Sequence, residues 1–310
     1  MKFFLYVILI LLLVFSVSCE RLPGPGCLIG AFIADSPTSY DINRFKSDYG
    51  KKPYLVMVFV DWENFVGDNI INDVYGNGSI LFITWEPWYA VDKKGIYYDG
   101  LLSGMYDDYI KSFANKVNSI GRPVFLRFAH EMNGNWYPWS GSKLGRKKYI
   151  AITKYVRAIF DKSGVNNVKW VFSINWENIP DGNNYKLYYP GNECVDYIGI
   201  DGYNWGSTRS WSKWASFKSL FSTVYTNANL LYNKPILISE FGSTGKGGDK
   251  KEWIRKAMNG IKNMRQIKGF IIFNVDKEAD WRFQPGESCG EELKKQLEDP
   301  YFMDKPRGRL

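Results

Sequence analysis

The residues of this chain that could do chemistry are carboxylates, most of them standing beside an aromatic ring. They occur in seven short segments: Asp61-Trp62-Glu63, Trp85-Glu86-Pro87-Trp88, His130-Glu131-Met132-Asn133-Gly134-Asn135-Trp136, Asn175-Trp176-Glu177-Asn178, Asp201-Gly202-Tyr203-Asn204-Trp205, Glu240-Phe241-Gly242 and Asp280-Trp281-Arg282. His130 is the one histidine, which removes multi-histidine metal sites. A Ser-His-Asp triad would want a GxSxG elbow, and the sequence has none. Cys19, Cys27, Cys194 and Cys289 form no CxxC pair, so neither a zinc ribbon nor a thioredoxin-type site is supported, and spacing assigns no disulfide. What remains is chemistry by paired carboxyls, one giving a proton and one acting as base or nucleophile, as cleavage of a glycosidic bond requires. No metal or cofactor is called for.

The tryptophans point the same way. Eight of the twelve fall in or just beyond these segments: Trp62, Trp85, Trp88, Trp136, Trp139, Trp176, Trp205 and Trp281. Core tryptophans are expected inside strands or on helix faces, as Trp170 and Trp253 are. Rings gathered with carboxylates suit a sugar, whose C–H faces stack on aromatics while its hydroxyls bond to Asp, Glu and Asn.

Positioning these groups requires a scaffold, and eight short apolar runs supply one. They are Leu28–Ala34, Tyr54–Val60, Ile80–Trp85, Pro123–Ala129, Val168–Asn175, Val195–Asp201, Pro235–Ser239 and Gly269–Val275. Several are continuously apolar, as parallel strands buried on both faces should be. Helix-compatible segments lie between them at Asp41–Tyr49, Tyr106–Ser119, Arg146–Lys162, Trp214–Tyr232 and Lys250–Met264, while Asp181–Gly191 reads as a loop. The pattern predicts an α/β fold, a single-domain (β/α)8 TIM barrel. A doubly wound sheet would want a glycine-rich phosphate loop after its first strand, and Gly30-Ala31-Phe32-Ile33-Ala34 is not one. In a barrel the chemistry sits at the carboxyl ends of the strands. Glu131 ends the fourth run and Glu240 the seventh, on opposing sides of one mouth, with Glu63, Glu86 and Glu177 also near strand ends.

The termini and the charge bound the setting. Residues 1–18 read as a signal peptide, with Lys2 before the apolar run Phe3–Val17 and small residues at Ser16-Val17-Ser18. The run is about 15 residues, short of the ~20 that span a bilayer. Cys19 follows directly, so lipoprotein processing is the alternative, and a lipid anchor there would be the sole membrane contact. The expected layout is a linker at 19–27, the barrel at 28–300 and a tail at 301–310, in a secreted or lipid-anchored monomer. The net charge of +8 is dispersed along the chain, which fits a solvated surface better than a nucleic-acid partner.

The segment from Arg127 to Trp139, with Ser239-Glu240-Phe241-Gly242, resembles glycoside hydrolase family 26, a clan A family of retaining β-glycanases. Histidine before the acid/base glutamate is the mark, since most clan A families have asparagine there. Supporting matches are Trp85-Glu86-Pro87-Trp88, Gly199–Trp205 and Asp280-Trp281-Arg282. The resemblance implies Glu131 as acid/base and Glu240 as nucleophile, with Tyr203 hydrogen-bonded to the nucleophile. It further implies that Trp136, Asp201, Trp281 and Arg282 contact a polysaccharide substrate and that His130 contacts it or orients the acid/base, and Trp85, Trp88 and Trp205 are expected to line the same mouth. Endo-β-1,4-mannanase activity is the first expectation. The segment Trp136-Tyr137-Pro138-Trp139-Ser140 replaces the Trp-Trp-Gly of many mannanases and resembles members acting on β-1,3-1,4-glucan, which is the second. A non-catalytic carbohydrate-binding protein on the same barrel is the alternative from another class.

Overall fold

Runs such as Leu55–Val60 and Ile80–Trp85 have almost no polar side chain to offer water, and both are buried along nearly their whole length. A computed structural model describes residues 26–307, so the signal-peptide reading and Cys19 lie outside the described residues. The eight strands are β1 (Cys27–Phe32), β2 (Leu55–Val60), β3 (Ile80–Trp85), β4 (Val124–Phe128), β5 (Val168–Asn175), β6 (Tyr197–Asn204), β7 (Ile236–Ser243) and β8 (Ile267–Phe273). Each pairs in parallel with the next. The sheet then closes, Leu28 of β1 facing Gly269 of β8 and Phe32 facing Phe273. This is the (β/α)8 barrel in a single domain.

Strand alternation divides the apolar residues into two cores. Leu28, Leu55, Met57, Phe82, Phe125, Leu237 and Ile271 fill the barrel interior. Their neighbours Ile29, Val56, Leu81, Leu126, Ile238 and Ile272 point out against the helices. The same parity corrects one expectation. Trp85 follows Leu81 and Ile83 outward and has no exposed surface, its ring stacked on Phe113 at 4.0 Å and on Trp62 at 5.1 Å. It packs the helical layer and cannot reach a substrate.

Helices Ser39–Tyr49, Asp107–Ser119, Arg146–Lys162, Phe217–Tyr232 and Lys250–Asn263 occupy the expected crossovers. Between β5 and β6 there are only the short turns Tyr185–Leu187 and Asn192–Cys194, as the loop reading required. Among the described residues four helices escaped the sequence reading, Asp68–Gly76, Ser288–Leu297 and the short Tyr98–Leu102 and Gly141–Leu144; none has a side-chain N-cap bond to announce its start. A short strand, Phe302–Met303, pairs in parallel with the beginning of β1, and Phe302 is buried in the core. Cys27, Cys194 and Cys289 are free and buried. Among the described residues no helix is long and apolar enough to cross a membrane.

Candidate active site

At the carboxyl end of the barrel the inward positions turn from apolar to polar. Thr84 of β3, Arg127 of β4, Ser173 of β5, Asp201 of β6 and Ser239 of β7 are all buried. Arg127 organises them. Its Nη1 donates to both carboxylate oxygens of Asp201 at 2.9 Å. Its Nη2 donates to Thr84 Oγ1 at 2.8 Å and also to Glu240 Oε1. Ser173 and Ser239 donate their hydroxyls to Asp201 at 2.9 and 2.6 Å. Burial alone would disfavour the guanidinium charge, but Asp201 and Glu240 outweigh it and raise the Arg127 pKa. A buried network satisfied in this way is stiff, and here it floors the mouth.

Glu240 reaches that floor through an irregularity in β7. Ile200 of β6 faces Ile238, yet Asp201 faces Glu240, so Ser239 is an extra residue in the ladder. Ile238 and Phe241 on either side point outward. Ser239 and Glu240 therefore both turn inward, a re-aiming typical of β-bulges beside functional sites. Tyr203, inside β6 because that strand runs on to Asn204, donates its hydroxyl to Glu240 Oε2. Each oxygen of Glu240 thus has a donor, one of them cationic.

Glu131 stands just beyond β4 on backbone that a side chain resists: its φ is +52°, and that of Ala129 is +49°. Each such residue costs about 1–2 kcal/mol. The cost is met by hydrogen bonds on every side. The Ala129 N–H goes to the Trp85 carbonyl at 3.1 Å, and Tyr149 OH donates to the Ala129 carbonyl at 3.0 Å. Trp139 Nε1 holds the His130 carbonyl at 2.7 Å, and the Glu131 N–H reaches the Ser173 carbonyl at 3.0 Å. Trp139 is therefore a brace for the turn, fully buried. The Glu131 carboxyl receives Asn175 Nδ2 on Oε1 and Trp136 Nε1 on Oε2, both at 2.9 Å. Burial, then the negative charges of Asp201 and Glu240, push its pKa up to about 8.

The remaining expected residues divide by position. Trp136 is 40% exposed while its Nε1 holds Glu131. It lies so close over Gly134 that a β-carbon there would strike its ring. His130 is buried, and burial, followed by the charge of Arg127, holds its pKa well below the usual value, so the ring is neutral. Its Nε2 pairs with Tyr137 OH at 3.1 Å, away from Glu131. Trp88 is half-buried at the mouth, its Nε1 on Glu86 Oε2 at 3.2 Å. Trp281 is 1% exposed, lying against Tyr203 at 4.7 Å and edge-on to Trp205 at 4.8 Å, and so backs the wall. Arg282 sits on the rim, forked onto Asp280 and Asp276. Asp201 is a correction: with no exposed surface and every oxygen engaged by Arg127 and two serines, it is a buried partner of the arginine and not a substrate contact.

Arg127 and Asn175 went without a role in the sequence reading, and Glu86 was placed only near a strand end. Arg127 carried a signal, a charge at an inward position of the apolar strand Val-Phe-Leu-Arg-Phe. Asn175 carried a weaker one, as the last residue of β5. Glu86 is 6% exposed with one bond, from Trp88, and burial pushes its pKa up to about 7. Among the described residues no group of three or more His, Cys, Asp or Glu could hold a metal ion.

Comparison with known proteins adds an independent view. The family model for glycosyl hydrolase family 26 matches residues 32–277. Endoglucanase H of Acetivibrio thermocellus is 41% identical over 267 residues, which cover 83% of this chain and 29% of that protein. This chain therefore spans under a third of the length of that relative. A mannan endo-1,4-beta-mannosidase of Bacillus subtilis is 28% identical over 136 residues, 41% of this chain and 32% of that protein. A beta-mannanase structure from Bacteroides ovatus superposes with a TM-score of 0.67 at 18% identity, covering 90% of both chains, and so shares the fold.

Proposed function

The chain belongs to glycosyl hydrolase family 26, and from that premise we propose that it cleaves internal β-linkages of a hexose polysaccharide with retention of configuration. One observation carries the assignment of roles: two carboxyls at one mouth sit in opposite electrostatic surroundings. Glu131 is held by two neutral donors and keeps its proton to about pH 8. Glu240 is held by a guanidinium and a phenol. Two carboxyls in surroundings that differ in this way divide into acid and nucleophile.

In the first step Glu240 attacks the anomeric carbon while Glu131 gives its proton to the departing glycosidic oxygen, leaving a glycosyl ester on Glu240. Esterification removes the negative charge that had helped hold the Glu131 proton in place. Glu131, now ionised, takes a proton from water, and the attacking oxygen displaces the ester. Two inversions at one carbon give retention. Arg127 and Tyr203 orient the nucleophile, and Trp136 both fixes Glu131 and offers a face to the sugar.

Two hexose polymers have support as substrate. Mannan has that of the mannosidase relatives. β-Glucan has that of the 41% identical endoglucanase together with the segment Trp136-Tyr137-Pro138-Trp139. Glucose and mannose differ in one hydroxyl, and a site matched to one epimer pairs poorly with the other. Reducing-sugar release from lichenan, carboxymethyl cellulose, galactomannan and glucomannan, with EDTA present, tests the reading. Activity on one class that disappears in Glu240→Ala, and that returns with azide in Glu131→Ala on an aryl glycoside, is expected. A wild-type protein inactive on all four, or an active Glu240→Ala, overturns it.

A further inference from the structure

The aromatic wall on the nucleophile side of the mouth does not stop at the reacting carbon. Tyr203 contacts Trp281, Trp281 meets Trp205 edge-on, and Trp205 meets Trp211 edge-on at 5.5 Å. Along this line exposure rises: Trp281 is 1% exposed, Trp205 is half-buried and Trp211 is 69% exposed. Trp205 is enclosed by Trp281, by Trp211 and by the Arg209 guanidinium, which lies over its ring at 5.2 Å. The indole of this row most open to solvent is therefore Trp211. Isolated surface aromatics are ordinary, and Tyr40, exposed on the first turn of a helix far along the chain, is one. Trp211 differs in belonging to a row that begins at Glu240.

The loop that carries it is also firmly held. Ser212 Oγ donates to the Gly206 carbonyl at 2.7 Å, and Thr208 Oγ1 to the Trp205 carbonyl at 2.6 Å. The Ser207 N–H reaches the Lys246 carbonyl at 3.0 Å, in the loop after β7. Arg209 Nη2 crosses to the Glu278 carbonyl, in the loop after β8. The loop is thus tied to both neighbouring loops, and Trp211 is presented on a stiff support. A large apolar ring held out to water on a rigid loop loses little entropy when a ligand stacks on it.

We propose that Trp211, supported by Trp205 and Arg209, is a stacking platform for a distal sugar of an extended β-linked polysaccharide chain, beyond the sugars that flank the scissile bond. The inference rests on the glycanase reading above and extends its cleft outward. The test compares wild type with Trp211→Ala and Trp211→Tyr on a ladder of gluco- and manno-oligosaccharides of increasing length. In wild type kcat/KM should rise with length. In Trp211→Ala the ratio of the longest to the shortest substrate should fall about three- to tenfold through KM, from loss of one aromatic contact, and Trp211→Tyr should restore most of it. A ratio unchanged by Trp211→Ala, or a loss carried by kcat and equal at every length, overturns the platform. Affinity electrophoresis in gels containing β-glucan or mannan separates the two proposals. Retardation of wild type that weakens in Trp211→Ala upholds the platform even if hydrolysis is absent, which sinks only the glycanase reading. Equal migration of both proteins, retarded or not, overturns the platform whatever the hydrolysis result.

Discussion

Asn175 offers the sharpest test of how Glu131 is tuned. Its Nδ2 donates to Glu131 Oε1 at 2.9 Å in a buried setting, and this bond favours the charged carboxylate, opposing the burial that raises the pKa to about 8. Asn175→Ala removes the donor. A hydrogen bond to a charged group is worth about 1.5–3 kcal/mol, and a pKa unit corresponds to about 1.36 kcal/mol, so the Glu131 pKa should rise by roughly one to two units. Glu131 serves as acid in its protonated form, and the alkaline limb of kcat/KM against pH reports its pKa in the free enzyme. The limb should therefore move from near pH 8 to higher pH, while kcat near neutrality falls because the second step needs the carboxylate. Asn175 Oδ1 also accepts the Glu177 N–H at 3.0 Å, so a stability loss of about 1–3 kcal/mol should accompany the change. The assay is a pH profile on a soluble oligosaccharide, run with a thermal melt to verify folding. An alkaline limb that stays in place or moves down refutes the argument, since no loss of a donor to the anion can lower its pKa.

Arg127→Met should leave Asp201 and Glu240 buried without their cation, costing about 3–5 kcal/mol in urea denaturation and abolishing turnover. Gly134→Ala should drive the Trp136 ring off its seat and break its bond to Glu131, lowering kcat/KM about tenfold with little loss of melting temperature. Glu131 titrates near 4.5 when unfolded and near 8 when folded, so its stability contribution is full below the lower value and lost as pH rises through the upper one. Glu131→Gln should consequently melt higher than wild type at pH 9 and with a much smaller advantage at pH 4, as calorimetry across that range would reveal.

The sequence by itself determined the barrel and the neighbourhood of its site. Continuous apolar runs such as Leu55–Val60 can be satisfied only by burial on both faces, and their number and spacing leave few folds. Because barrel chemistry gathers at the carboxyl ends of strands, Glu131 and Glu240 could be placed at one mouth from strand order alone. What sequence could not decide was direction. Trp85 and Glu86 are adjacent at the end of β3, yet strand parity sends Trp85 into the helical layer, while Glu86 is buried at the mouth against Trp88. The extra residue in β7 is invisible in Ser239-Glu240-Phe241, because a bulge is a relation between two strands and not a property of one. Nor does the local sequence say that Arg127 meets Asp201, 74 residues on, or Glu240, 113 residues on. Those pairings exist only once the barrel closes. Inside it, with no water to share the charge, Asp201 and Glu240 are both held against the Arg127 guanidinium.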